Sequence, residues 1–138
     1  ENIYFLGIIR NPYAQAEGII RRNSATPEYA AQFALKCLRY QKKNTEFEMN
    51  SLFITYEELC DNKKNVIDKI KLFIPEIGDV DSDLEFSAHN FKTDGKMKIQ
   101  NLNDEKIKKL SVNQLKLINS YFIKDKELLN YFGYSIID

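Results

Sequence analysis

The sequence predicts an α/β chain, rich in helix, with a small parallel sheet. Three observations carry this. Ile3 to Ile9 is a continuous β-branched and aromatic run of strand length, which suits a strand covered on both faces, as in a parallel sheet. A second short run of the same kind, Ser51 to Thr55, follows only after a long helical connection, and a connection of that length makes the two strands parallel and right-handed. Most of the remaining chain carries helical periodicity with caps at the expected places.

The elements follow in order. After the first strand, Asn11 caps a helix whose first position is Pro12, and the helix runs to about Arg22. Thr26 and Pro27 open a longer helix toward Asn44, with Ala31, Phe33, Ala34, Cys37 and Leu38 on its apolar face. The second strand ends in Thr55-Tyr56-Glu57-Glu58, which has the form of a capping box. Asn65 to Phe73 is a further helix, closed by Pro75. Between Gly78 and Gln100 periodicity is lost, so this segment is expected to be a loop. Asp104 to Leu110 is a short helix. Ser111 to Gln114 is a second capping box, leading a helix with Leu115, Ile118, Tyr121 and Phe122 on one side. Lys124 to Phe132 is expected as a last helix, with Gly133 just past its end.

Composition narrows the class. The 138 residues fit one domain able to bury a core, and 43% apolar with 12% aromatic residues argues against disorder. Twenty basic and twenty acidic residues cancel, so no global basic field points to nucleic acid. Cys37 and Cys60 lack the spacing of a metal or redox pair, and two lone cysteines fit a reducing, cytoplasmic location. No run reaches membrane-spanning length, and no signal peptide is visible. Nothing forms a metal cluster, a nucleophile triad or a dinucleotide fingerprint. His89, the sole histidine, is expected to be a loop residue without a role. Glu1 to Phe5 partly matches a protease tag site, but Ile3 and Leu6 depart from it, and the segment is taken as native strand.

Arg10 stands where the first strand ends. A cation at the carboxyl end of a parallel strand, beside a helix N-terminus with free N–H groups, can hold a phosphate, and a guanidinium matches phosphate geometry. Strand, Arg10-Asn11-Pro12 and helix resemble the segment of the sulfotransferases that binds the 3′-phosphate of 3′-phosphoadenosine 5′-phosphosulfate (PAPS). Two later stretches agree in the same order: Ser51 to Leu59 resembles that family's strand ending in a Tyr-Glu-Asp/Glu-Leu box, and Asn101 to Leu110 with Leu129 to Tyr134 resembles the helical tail of bacterial members.

The resemblance implies a helix-rich part of a P-loop-like sulfotransferase fold, transferring a sulfuryl group from PAPS to a hydroxyl or amine acceptor without a metal. It assigns Arg10 to the 3′-phosphate and Tyr56 to the adenine; Tyr56 also fits a core aromatic with a satisfied hydroxyl. The family usually has Ser where Gly18 stands, so one hydrogen bond to phosphate is missing here. Lys92, Gly95 and Lys96 match the basic, Gly-containing loop that closes over the 3′-phosphate, and also fit a solvated turn. Arg21 and Arg22 fit a solvated face, and Glu57 and Glu58 fit helix N-terminal charges. No Gly-rich phosphate loop precedes the first strand, so the resemblance makes this the C-terminal portion of such a domain, without catalytic residues of its own and inactive alone. The alternatives are a non-catalytic nucleotide- or phosphate-binding module and a helical interaction module. Two parallel strands leave both edges unpaired, so self-association through the sheet edge is expected.

Overall fold

A computed structural model describes residues 3–46, 50–81 and 98–137. Strand β1 (Phe5–Ile9) is followed by helix α1 (Pro12–Asn23), helix α2 (Pro27–Thr45), strand β2 (Ser51–Thr55), helix α3 (Tyr56–Asp61) and helix α4 (Lys63–Phe73). After residues 82–97 come α5 (Asn103–Ile107), α6 (Val112–Phe122) and α7 (Lys126–Tyr131). Short 3₁₀ turns occupy Pro75–Ile77 and Ile123–Asp125.

The two strands pair in parallel, Phe5 with Ser51 through Ile9 with Thr55. The first strand is shorter than Ile3 to Ile9 because its ladder begins where the Phe5 N–H donates to the Asn50 carbonyl at 2.8 Å. Its apolar run is not covered on both faces. Phe5, Leu6 and Ile8 are all exposed, and only Ile9 is buried. The run is hydrophobic enough for a sheet interior, but the described residues supply just one neighbouring strand.

Caps set the helix starts. The Asn11 side chain accepts from the N–H groups of Tyr13 and Ala14, with Pro12 at the first position of α1. Thr26 accepts from Tyr29 at the start of α2. Ser111 and Gln114 bond reciprocally, completing the capping box of α6. The Thr55 hydroxyl accepts from the Glu58 N–H at 3.0 Å, but the Glu58 carboxylate turns to Lys69 instead of closing a box. Helix α4 begins at Lys63, two residues before the expected start. The last helix divides into a 3₁₀ turn and α7. Its end is a Schellman motif: the Gly133 N–H donates to the Asn130 carbonyl and the Tyr134 N–H to the Leu129 carbonyl, with Gly133 at φ +79°.

The core lies where α2 crosses α1 and α6. Ala16 from α1 and Ala30, Ala31 and Ala34 from α2 are fully buried, and their small side chains permit close approach of the two helices. Tyr13, Leu38, Ile118, Phe122 and Leu129 fill the remainder, with the Tyr13 and Phe122 rings edge to face at 4.8 Å. The buried face of α2 therefore includes Leu35 but not Phe33, which is exposed and lies beside Tyr29. No helix among the described residues is long and apolar enough to cross a membrane.

Gly7 leaves room for the Phe53 ring across the ladder. A Cβ there would stand 2.5 Å from ring carbons of Phe53, its partner in the ladder. Gly7→Ala is expected to lower stability by about 1–3 kcal/mol, the usual cost of overpacking. In a Phe53→Ala background the same change should cost almost nothing. Denaturant unfolding of the four proteins in this cycle tests the contact, and an equal cost in both backgrounds would disprove it.

Candidate functional site

The β1–α1 and β2–α3 turns lie side by side because the strands are parallel and in register, Ile9 beside Thr55. Arg10 and Tyr56, the residues following each strand, therefore meet. The Arg10 guanidinium carbon stands 4.2 Å from the centre of the Tyr56 ring. The Tyr56 hydroxyl donates to the Gln100 carbonyl at 2.7 Å, so both its ring and its polar end are engaged within the protein.

Arg10 is aimed by a chain of hydrogen bonds. Its Nε donates to Asn103 Oδ1 at 2.8 Å. The buried Asn103 amide in turn donates through Nδ2 to Glu57 Oε1. The same carboxylate oxygen accepts the Asn11 N–H at 2.8 Å, and Oε2 accepts the Tyr134 hydroxyl at 3.0 Å. Glu57 is thus more than a helix N-terminal charge: it joins the two strand-end turns, α5 and the C-terminal segment. Arg10 Nη2 is buried and has no hydrogen-bond partner among the described residues.

Arg10 also borders a cleft of about 330 Å³ along α1, whose wall includes Glu17, Gly18, Arg21, Arg22 and Lys106. Arg10 and Gly18 share this cleft. A Cβ at Gly18 would meet nothing within 4 Å, so the glycine leaves open space and satisfies no packing need. Arg21 and Arg22 are exposed and line the cleft, and Lys106 reaches it from α5. Tyr56 is not on that wall; it lies behind Arg10. Lys92, Gly95, Lys96 and His89 fall outside the described residues.

Sequence reasoning missed Glu17, Asn103 and Lys106. Their chemistry is ordinary for helix surfaces, and α5 reaches α1 only through the long connection after α4. A spacing signal did exist for Glu17, four residues before Arg21.

The described residues contain no group of three or more His, Cys, Asp or Glu able to hold a metal ion. Burial pushes the Cys60 thiol above its ordinary 9.0, aided by Asp61 and Glu57 and opposed by its bond with Tyr56 and by Arg10. That disfavours the thiolate and gives Cys60 no support as a nucleophile.

No family model matches this chain, no curated protein matches it, and no solved structure matches it.

Burial, followed by the charge and hydrogen bond of Glu57, pushes the Tyr134 hydroxyl well above the ordinary 10.0. Burial raises Tyr13 as well, partly offset by the Ile137 N–H bonded to its oxygen. A raised tyrosine pKa means that the folded protein holds the phenolic proton more tightly than the unfolded chain does. The corresponding stability is complete below the unfolded value near pH 10 and falls as pH rises beyond it. Tyr134→Phe is expected to cost about 1.5–3 kcal/mol at pH 7, the loss of a hydrogen bond to a charged group. It should also flatten the alkaline decline. Urea unfolding at pH 7 and above pH 10 tests both; a wild-type slope in the variant would show that Tyr134 is not the titrating group.

Proposed function

We propose that this chain forms the 3′-phosphate and adenine side of a PAPS site, for sulfuryl transfer to a hydroxyl or amine acceptor. The observation that carries the reading is one cleft in which Arg10, at a strand end before a helix, meets Arg21, Arg22 and Lys106 beside the open Gly18. Four cations around a recess of this size suit a phosphate monoester. Arg10 supplies the planar fork that matches phosphate geometry. Tyr56 fixes the plane of that guanidinium, and its contact with adenine belongs to the same proposal. Lys92, Gly95 and Lys96 would close the phosphate from the connecting segment. In this reading the chain positions the donor and neutralises charge, and the sulfate-polarising groups lie elsewhere.

Adenosine 3′,5′-bisphosphate is the probe. It is expected to bind more tightly than adenosine 5′-monophosphate in isothermal titration. Lys106→Ala, a change on a short surface helix, should weaken the bisphosphate by about tenfold or more, the loss of one charged contact worth roughly 1.5–3 kcal/mol. Arg10→Lys keeps the charge but removes the fork and should weaken it further. Both variants should leave 5′-monophosphate binding nearly unchanged. Equal affinity for the two nucleotides, or indifference to both substitutions, would overturn the reading.

The partner proposed for the sheet is a second copy of this chain. Parallel strands are ordinarily covered on both faces, and Phe5, Leu6 and Ile8 stand exposed on a sheet that has two strands among the described residues. Sedimentation at micromolar concentration is expected to show self-association, and Ile8→Lys should disperse it. A monomeric wild type would refute this assembly.

A further inference from the structure

Arg10 borders the cleft, but the groups that fix its direction do not line it. Its Nε donates to Asn103 Oδ1 at 2.8 Å, and the Tyr56 ring covers one face of the guanidinium. Asn103 is buried. Its backbone N–H donates to Asn101 Oδ1 at 3.1 Å, and its Nδ2 donates to Glu57 Oε1. A carboxamide has one accepting end and one donating end. Turned over, Asn103 would set its NH₂ group against the Arg10 N–H and its carbonyl oxygen against the carboxylate. An ionised Glu57 can only accept, so it dictates which end of Asn103 faces Arg10.

Glu57 is held in turn through both oxygens. Oε1 accepts the Asn11 N–H at 2.8 Å as well as Asn103, and Oε2 accepts the Tyr134 hydroxyl at 3.0 Å. Tyr134 is buried and belongs to the C-terminal segment. Two further bonds fasten that segment: the Ile137 carbonyl accepts from Asn119 Nδ2 of α6 at 2.8 Å, and the Ile137 N–H donates to the Tyr13 hydroxyl of α1 at 3.3 Å. One line of polar contacts thus runs from the docked C-terminal segment through Glu57 and Asn103 to Arg10. Without the Tyr134 hydroxyl, one carboxylate oxygen is free to turn toward water, and the acceptor that orders Asn103 and then Arg10 is no longer fixed.

We propose that Tyr134 positions Arg10 through Glu57 and Asn103, so that docking of the C-terminal segment and anion binding in the cleft are linked. The linkage rests on the reading of the cleft as a phosphate site; the positioning of Arg10 does not. Linkage of this kind is reciprocal, so a bound anion also tightens the Tyr134 contact.

Side-chain N–H exchange, measured by heteronuclear NMR on the ligand-free protein, tests the positioning. In Tyr134→Phe the Arg10 Nε–H should exchange with water about two- to tenfold faster than in wild type, the effect of weakening one hydrogen bond. Arg21 is the internal reference, because its Nε on the same cleft is bonded to Glu17 instead. Its exchange should not change. Unchanged exchange at Arg10, or an equal rise at Arg21, would overturn the positioning. Isothermal titration with adenosine 3′,5′-bisphosphate tests the linkage, with circular dichroism to verify folding. Tyr134→Phe should weaken binding about two- to tenfold. In an Asn103→Ala background the same change should have almost no further effect, because the line is already cut. In a Lys106→Ala background its full effect should persist. If Lys106→Ala weakens binding but Tyr134→Phe does not, the phosphate site stands and the linkage is overturned. An undiminished effect of Tyr134→Phe in Asn103→Ala also overturns it, since Tyr134 would then act by another route. If the bisphosphate does not bind, or Lys106→Ala has no effect, the phosphate reading and the linkage fail together, and the exchange at Arg10 alone decides the positioning.

Discussion

The Glu57 carboxylate holds together the part of the molecule on which the candidate site depends. Its two oxygens accept from the Asn11 backbone, the Asn103 amide and the Tyr134 hydroxyl. These donors come from the β1–α1 turn, α5 and the segment after α7, and Glu57 itself opens α3. One charged acceptor therefore links four stretches distant in sequence. Charge-assisted bonds of this type are stronger than neutral ones, and a half-buried setting weakens their competition with water. Asn103 passes the constraint on: with its amide committed to Glu57, its carbonyl oxygen is left to accept from Arg10 Nε. The guanidinium is held by that bond on one edge and by the Tyr56 ring on its face. Such a fixed cation loses little side-chain freedom on meeting an anion.

The cleft also shows how a chain with balanced charge can carry a local field. Basic and acidic residues number twenty each, yet Arg10, Arg21, Arg22 and Lys106 converge on one recess. Three of them come from β1's end and α1, and the fourth from α5, which packs against α1. The position of α1 is set by its alanine contact with α2 and by Tyr13. The Tyr13 ring meets Phe122, and its hydroxyl donates to Asn119 at 2.5 Å and accepts from the Ile137 N–H at 3.3 Å. Core packing and charge placement are thus linked through a single helix: its inner face carries Tyr13 and Ala16, and its neighbouring face carries Glu17, Gly18 and Arg21. The small sheet is the less self-contained part, since Phe5, Leu6 and Ile8 of β1 remain exposed and only Ile9 is buried.

Local signals were legible in the sequence, and the reason is that they act over a few residues. Asn11 and Pro12, Thr26 and Pro27, Ser111 and Gln114, and Gly133 all act through hydrogen bonds or backbone angles within one helical turn, and each marks an element end in the structure. The parallel pairing was legible too, because a strand–helix–helix–strand connection of this length permits few topologies. Arg10 was singled out from its place at a strand end, and Gly18 only through the resemblance to the sulfotransferase segment.

Tertiary structure decided what these residues meet. Glu57 looked like an ordinary first-turn acid, since the sequence cannot tell which distant donors will converge on it: Asn103 lies 46 positions away and Tyr134 lies 77. Glu17 was not singled out, although it stands four residues before Arg21, and only packing buries it and leaves one oxygen unpartnered. Phe33 looked like a core residue by spacing but falls just outside the arc of α2 that α1 and α6 cover. Chain-local forces determined where helices and strands begin and end. Which polar groups were withdrawn from water, and which cations were drawn to one cleft, depended on contacts between segments far apart in the chain, and no local pattern encodes those.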